Sequence, residues 1–402
     1  MSVRQRVRVS MGWRVVVALA ITQTVGWGVL YYAFAVFLGP LQRDLHASAS
    51  QVTGAFTLAV LITGLAAPLV GRLLDRYGGR GLMTAGSVAG TLAMLAWSRV
   101  ADVPSLYLVL AAIGVASALA LYEPAFAVVV AWFDPERRAN ALLAVTLVAG
   151  FASTIFLPLT GLFVERYGWR TASVLLAVIF GVTTIPLHAF FVRRPLRADP
   201  VEQASDEKEA ELDHVTLRQA ARGRAFWLLA VAFVAHSAAI AIMAVHLLAY
   251  LVELGHSPTF AAAVTGLLGV LSVTGRLVAT GLQRRFRPAA VTASVFALQA
   301  VAVAVLPPVG GSAAGAIACV IAFGIGFGVG TIARPLLIAE RYGAHAYATI
   351  AGTLALPIIL AKALGPLGAA ILSQGPGYPA VMLVVAACSV VASALLVAYA
   401  KS

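Results

Sequence analysis

Long apolar stretches, many of twenty residues or more, follow one another down this chain with only short polar interruptions. No other feature restricts its fold so strongly. Apolar residues make up 61% of the 402 and charged residues only 11%, with a mean hydropathy of +0.94. A soluble domain carries about 25% charged residues, so this chain has too few polar side chains to cover a water-facing globule. Inside lipid every backbone polar group must be satisfied by the chain itself, which leaves helices or closed barrels. The runs are long and do not alternate in polarity, which selects helices. A spanning helix needs about 20 residues, and the predicted spans are 13–38, 51–71, 82–99, 104–132, 139–164, 170–191, 225–253, 258–282, 288–307, 312–340, 345–373 and 377–399. The expected fold class is therefore an all-α membrane protein of twelve transmembrane helices.

The formal net charge of +12 reports topology. Of the 28 Lys and Arg, 22 fall in the termini and in alternate connections on the same side, including Arg4, Arg14, Arg72, Arg137 and Arg284. Only Arg43, Arg99, Arg166 and Arg170 fall on the other side. By the positive-inside rule both termini are expected in the cytoplasm, and no nucleic-acid partner is needed to explain the charge. Arginines ahead of Ala18-Leu19-Ala20 imitate a secretory signal, but the apolar stretch continues to Leu38 and predicts an uncleaved first helix. Cys319 and Cys388 lie in apolar runs and read as small hydrophobic filler. Mixed charges from about Arg193 to Arg224 mark a solvated linker with a short surface helix near His214–Ala221. Six spans precede it and six follow, which predicts two six-helix bundles, 1–192 and 225–402, joined by 193–224. That is the layout of a duplicated transporter whose halves move about a midplane site.

Between spans 2 and 3 stands Gly71-Arg72-Leu73-Leu74-Asp75-Arg76-Tyr77-Gly78-Gly79-Arg80. Glycines allow close approach and tight turning, and an acid flanked by arginines can bridge helix ends. The segment resembles the signature loop of the major facilitator superfamily, which implies a gating role for Gly71, Asp75, Arg76, Gly78 and Arg80. The segments Trp132–Ala141 and Tyr167-Gly168-Trp169-Arg170 resemble the same superfamily. In the second half Gly275-Arg276 is followed by Gln283-Arg284-Arg285, so the matching turn lacks its acid.

Charged side chains within hydrocarbon cost at least about 2.5–3.5 kcal/mol and mark function by default. Arg276 lies about 18 residues into span 8 and Lys362 about 17 into span 11, and among the acids only Glu123, followed by Pro124, is comparably deep. Arg334 near the end of span 10 is a candidate third cation. On span 8 Thr265, Gly269, Ser272, Arg276, Thr280 and Gln283 form one polar stripe. On span 7 His236, Met243, His246, Tyr250 and Glu253 form another, and Thr146, Gly150 and Ser153 mark span 5. Such stripes line a cavity or serve helix-to-helix packing. The superfamily resemblance implies a cavity surrounded by all spans except 3, 6, 9 and 12. The glycines at 324, 326, 328 and 330 read as tight helix packing. His236 and His246 lack a metal-binding frame and read as hydrogen-bonded packing residues, with a cavity-lining or proton-handling role for one of them as the alternative. No metal site, cofactor motif, nucleophile elbow or Walker loop is present, so neither an enzyme nor an ATP-driven pump is expected.

Two cations on different helices favour an anion, because Arg forks onto a carboxylate and Lys adds a point charge. Gly28-Val29-Leu30-Tyr31-Tyr32-Ala33-Phe34-Ala35-Val36-Phe37 resembles the first span of the oxalate/formate antiporter and monocarboxylate transporter groups. Arg276 is similar to the span 8 arginine of both groups, and Lys362, in Leu360–Pro366, to the span 11 lysine of the first. The acid that stands four residues before that arginine in animal monocarboxylate carriers is Ser272 here, and span 1 has no intramembrane lysine. The resemblance implies a proton-coupled or anion-exchanging secondary transporter for a small organic anion in the bacterial inner membrane, expected as a monomer. Arg276 and Lys362 would bind the anion, with Tyr31, Tyr32, Ser272 and His246 lining the site. Glu123 is the candidate proton carrier, since a carboxyl in apolar surroundings favours its protonated form and can exchange a proton as they change. Pairing of Glu123 with Arg276 in one state would make substrate compete for the arginine. The rivals are a proton-driven drug or metabolite efflux antiporter of the same fold and a non-transporting membrane receptor or assembly protein.

Overall fold

The computed structural model of the protein describes residues 3–193, 216–344 and 346–401. Among these residues there is no strand, and the regular elements are helices. The first span is built from α1 (Val3–Trp27), a π-helical turn (Gly28–Tyr32) and α2 (Ala33–Asp44), and is followed by α3 (Ala49–Tyr77) and α4 (Gly79–Trp97). The fourth span is interrupted, α5 (Val103–Ala120) giving way to α6 (Tyr122–Trp132). Next come α7 (Pro135–Ala149) and α8 (Ala152–Phe191), the latter broken at Gly168, whose φ of 75° and ψ of 162° are non-helical. The second half has a short α9 (Leu217–Arg222), then α10 (Arg224–Glu253), α11 (Pro258–Gln283) and α12 (Pro288–Val309). It ends with a second interrupted span, α13 (Ala313–Phe327) and α14 (Gly330–Tyr342), and with α15 (Tyr347–Gln374) and α16 (Tyr378–Ala400).

Ten stretches among the described residues are long and apolar enough to cross a membrane. One of them, Pro135–Phe191, is two spans joined across Gly168, and α4 with its 19 residues completes the set of twelve. Helix starts follow local chemistry. Ser48 with Gln51, Asp102 with Ser105 and Thr216 with Gln219 form reciprocal capping boxes, and Ser257 and Ser312 accept from Phe260 N and Gly315 N. The predicted linker of 193–224 lies largely outside the described residues, and its short helix is α9.

The chain divides into two compact units, Met1–Val215 with Ile338–Leu356, and Thr216–Leu337 with Pro357–Ser402. In the first, α1 packs on α7 and α8, α3 on α5, and α4 on α5 and α8. In the second, α10 packs on α16, α11 on α13, and α12 on α13 and α16. Counted as spans, pairs 1–6, 2–4, 3–4 and 3–6 recur as 7–12, 8–10, 9–10 and 9–12, the signature of an internal repeat. Lipid is as apolar as leucine, so association rests on close packing and interhelical hydrogen bonds. Thr63 Oγ1, for example, donates to the Gly114 carbonyl of α5 at 3.0 Å. The first core gathers around Phe34, Phe37, Trp97 and Phe180, and the second around Met243, Leu247, Tyr250 and Phe323.

Sequence order alone would leave Ile338–Leu356 with the second half, yet it is part of the first unit. A Cβ at Gly71 would fall on the Ala348 carbonyl and one at Gly352 on that of Ala67, so these glycines let α3 and α15 touch backbone to backbone. Asp75 then accepts from Ala348 N at 3.2 Å and Thr349 N at 2.8 Å, filling donors that the first turn of α15 leaves open.

Candidate functional site

In the second unit the basic residues are positioned by backbone contact. A Cβ on Gly275 would strike the Ile325 carbonyl, so α11 reaches α13 more closely than any other residue would allow. The next residue, Arg276, is thereby aimed at the gap between α13 and α14. Its Nε donates to the Gly328 carbonyl at 3.2 Å, and the residue is 9% exposed, as is Ser272. The same carbonyl accepts from Thr331 Oγ1 at 2.7 Å and Thr331 N at 3.3 Å. The glycine run of span 10 thus does more than pack: Gly328 lies against Ser272 and Arg276, and Gly330 against the His236 ring.

His236 is buried and stacked on Phe296, with ring centroids 3.8 Å apart and planes 13° from parallel. Its Nδ1 has no hydrogen-bond partner. Lys362 reaches far enough from α15 for its charge to act on this ring. Lys362 is itself exposed, and Pro366, lacking an N–H, cannot bond the Lys362 carbonyl one turn back. Arg276, the Gly328–Gly330 break, His236 and Lys362 therefore form one connected basic neighbourhood within the second unit. Sequence reasoning singled out both span 7 histidines and the structure separates them. His246 Nε2 donates to the Pro366 carbonyl at 2.9 Å, and the Tyr378 hydroxyl lies 3.5 Å from Nδ1. Both ring nitrogens of His246 are thus committed to tying α10, α15 and α16 together, and the histidine within reach of the Lys362 charge is His236.

The first unit holds the aromatic and acidic residues. Tyr31 and Tyr32 lie on the π-helical turn, where the Ala33 N–H reaches back to the Gly28 carbonyl. Such turns are uncommon and recur at functional sites. A Cβ on Gly28 would collide with Phe156, so the wide turn starts where α1 meets α8 most closely. Tyr31 touches Trp27, Tyr32 and Phe56 at centroid distances of 5.2–5.4 Å, and Trp27 also touches Tyr122 at 5.0 Å. Tyr31 is 39% exposed. Glu123 follows Tyr122 in the first turn of α6 and is half-buried. Pro124 supplies no N–H for the Ala120 carbonyl, the chain breaks at Leu121, and Gln23 Nε2 donates to that carbonyl at 2.8 Å.

In the gating segment, Gly78 turns at a φ of 79° between α3 and α4, Arg76 lies over the Tyr77 ring at 5.2 Å, and Arg80 is exposed on α4. Arg138, which follows Arg137 at the start of α7, is buried, and its Nε donates to Phe133 O at 2.7 Å at the C-terminal end of α6. At the opposite end of the unit Asp44 pairs with Arg170 and accepts from Trp169 Nε1 at 3.0 Å. Arg170 and Trp169 hold the Asp44 carboxyl below the usual carboxylate range. Those two residues directly follow Gly168, so the bend fixes the start of span 6 to the end of span 1.

Known proteins add to this geometry. The chain is 27% identical over 209 residues to human monocarboxylate transporter 7, covering 50% of this chain and 38% of that protein. It is 33% identical over 196 residues to an MFS-type efflux pump of Mycolicibacterium smegmatis, covering 47% and 44%. The aligned stretches thus span less than half the length of either relative. The crystal structure of the human organic anion transporter MFSD10 superposes with a TM-score of 0.75 over 96% of this chain and 99% of that one, at 16% identity, a likeness of fold. The model of the Major Facilitator Superfamily matches residues 16–357. With twelve spans, a repeated helix pairing and this match over most of its length, the chain belongs to the Major Facilitator Superfamily.

Proposed function

We propose that the protein is a secondary transporter of a small organic anion, a mono- or dicarboxylate, working by alternating access. It would lie in the bacterial inner membrane with both termini in the cytoplasm, an orientation supported by the 22 to 4 bias of basic residues. The observation that carries the substrate class is the basic neighbourhood of the second unit. A buried Arg276 is held on a helix-break carbonyl through Nε, and the charge of Lys362 acts on the buried His236. Low dielectric around such cations rewards an anion and penalises a cation. In this reading Arg276 receives a carboxylate, Lys362 a second carboxylate or the same one, and Ser272 lies one helical turn from Arg276. Tyr31 and Tyr32, in the first unit, are assigned as candidate hydroxyl donors to substrate, and His246 ties α10 and α16 to α15, the helix that carries Lys362. The carboxylate cargo named for human monocarboxylate transporter 7 agrees with this class.

Glu123 is assigned the coupled proton, because its carboxyl stands at a helix break where a small rearrangement changes its surroundings. The loop of Gly71, Asp75, Arg76, Gly78 and Arg80 is assigned to gating through the Asp75 bonds to Ala348 and Thr349. A proton-driven exporter of bulky compounds is the second reading, favoured by the aromatic cluster around Trp27, Tyr31 and Phe56.

A thermal-shift series on the purified protein against mono- and dicarboxylates separates the two readings. Carboxylates should stabilise it, and Arg276→Ala or Lys362→Ala should weaken their binding about 10- to 100-fold, the worth of a charge-assisted hydrogen bond. Stabilisation that persists unchanged in both variants removes the anion assignment. In proteoliposomes Glu123→Gln should keep exchange of labelled substrate and lose accumulation driven by a pH gradient, and persisting accumulation would give the proton to another group.

A further inference from the structure

Where α1, α4 and α8 end on the side of the N-terminus, the first unit carries two adjoining concavities apart from the proposed anion site, one of them bordered by Arg80 of the gating segment. One is an open groove of about 690 Å³ along α4, lined by Gly81, Ala85, Val88, Ala89 and Leu92 with Arg80 at its mouth. Thr84 also borders it but turns its hydroxyl back to the Arg80 carbonyl at 2.7 Å, so the walls below the arginine are apolar. The other, about 210 Å³, is lined by Arg14, Arg193, Trp132 and Phe190. Trp132 Nε1 donates to the Arg193 carbonyl at 2.7 Å, and Arg193 Nε to Phe190 O at 3.0 Å, which steadies the arginine and leaves its terminal nitrogens available. The two hollows are neighbours, since Gly79 packs against Val192 and each stands next to one of the arginines. Arg14, Arg80 and Arg193 are exposed, and among the described residues no acid pairs with any of them.

An apolar channel on an outer helix face, with three exposed guanidinium groups at one end, none paired with an acid among the described residues, matches an amphiphile with a negative head and a long chain. We propose that this surface binds one anionic phospholipid, its phosphate on Arg14, Arg80 and Arg193 and an acyl chain along Ala85, Val88 and Leu92. Trp132 lines the smaller hollow at the C-terminal end of α6, and indole rings favour the membrane interface. The proposal is independent of the transported substrate, since none of these residues belongs to the basic neighbourhood of the second unit.

Native mass spectrometry of the full chain, titrated with phosphatidylglycerol or with phosphatidylcholine of the same chains, tests it. One phosphatidylglycerol should be retained in preference to phosphatidylcholine. At the strength of a basic residue near an anionic surface, Arg80→Ala should lower that affinity about fivefold and Arg14→Ala with Arg193→Ala about 25-fold. Arg285→Ala, an exposed charge on the second unit, should change nothing. Gly81→Leu fills the groove without a clash, because no atom lies within 4 Å of a Cβ there, and should displace the lipid while the fold persists. Equal retention of the two lipids, wild-type affinity in the arginine variants, or an equal loss in Arg285→Ala would overturn the proposal. So would competition by chain-free glycerophosphoglycerol at the same concentration as the lipid, which would mean an anion site without a lipid.

Discussion

The two units pair their helices alike and then treat the same weak point in opposite ways. Spans 4 and 10 occupy equivalent places in the repeat, and both are interrupted. In span 4 the break at Leu121 presents a fresh helix start, and the residue it carries is the acid Glu123. In span 10 the break at Gly328 presents a carbonyl, and the group that meets it is the cation Arg276. A helix start favours negative charge and an open carbonyl favours a donor. Each interruption is thus matched in sign to the charge beside it, and the repeat teaches how one backbone device can place either polarity in a membrane.

The strongest way to break this comparison is to push the second interruption out of reach of its arginine. Gly275→Val would drive a side chain into the Ile325 carbonyl, and overpacking of this kind costs about 1–3 kcal/mol or more. We expect loss of monodisperse protein in size-exclusion chromatography, whereas Gly269→Val on the same helix, with no atom within 4 Å of its Cβ, should behave as wild type. A smaller effect tests the first interruption. Gln23→Leu leaves the Ala120 carbonyl buried without a donor, which costs about 1–3 kcal/mol, and should lower the melting temperature by several degrees in differential scanning fluorimetry. The smallest effect concerns how the two spans begin. Asp102 caps α5, and the hydrogen bonds from the Ser105 side chain and backbone hold its carboxyl below the usual carboxylate range, whereas Ser312, which caps α13, does not titrate. The Asp102 contribution is therefore fully present above the ordinary carboxylate pKa of about 4 and fades as pH falls through the lowered value. Hydrogen-exchange protection at Ser105 and Leu106 should drop in acid while that at Gly315 and Ala316 stays constant.

Much of this was legible in the residues. Apolar length alone gave twelve spans, and burial of charge in hydrocarbon singled out Arg276, Lys362 and Glu123. Pro124 marked a weakened helix, and the break falls at Leu121 because the orphaned carbonyl lies four residues before the proline. What escaped depends on tertiary contact. Nothing local to Gly28–Tyr32 announces a π-helical turn, which begins where Gly28 lies against the Phe156 ring of another helix. His236 and His246 share a helix and differ by ten residues, so only the packing of α15 decides which one feels the Lys362 charge and which one bonds Pro366. The glycine run was readable as packing, but its use as an opening for Arg276 required knowing where α11 touches α13.

The membership of Ile338–Leu356 in the first unit means that a chain severed at its midpoint would not yield two equivalent products. The fragment that begins at Thr216 would retain Arg276, His236 and Lys362 with all their helix pairs, and would trail a stretch deprived of its docking surface. The other fragment would expose the bare backbone at Gly71 and Ala67 and leave Asp75 with no amides to hold. Co-expression of the severed pieces should therefore rescue the N-terminal one far more than its sibling.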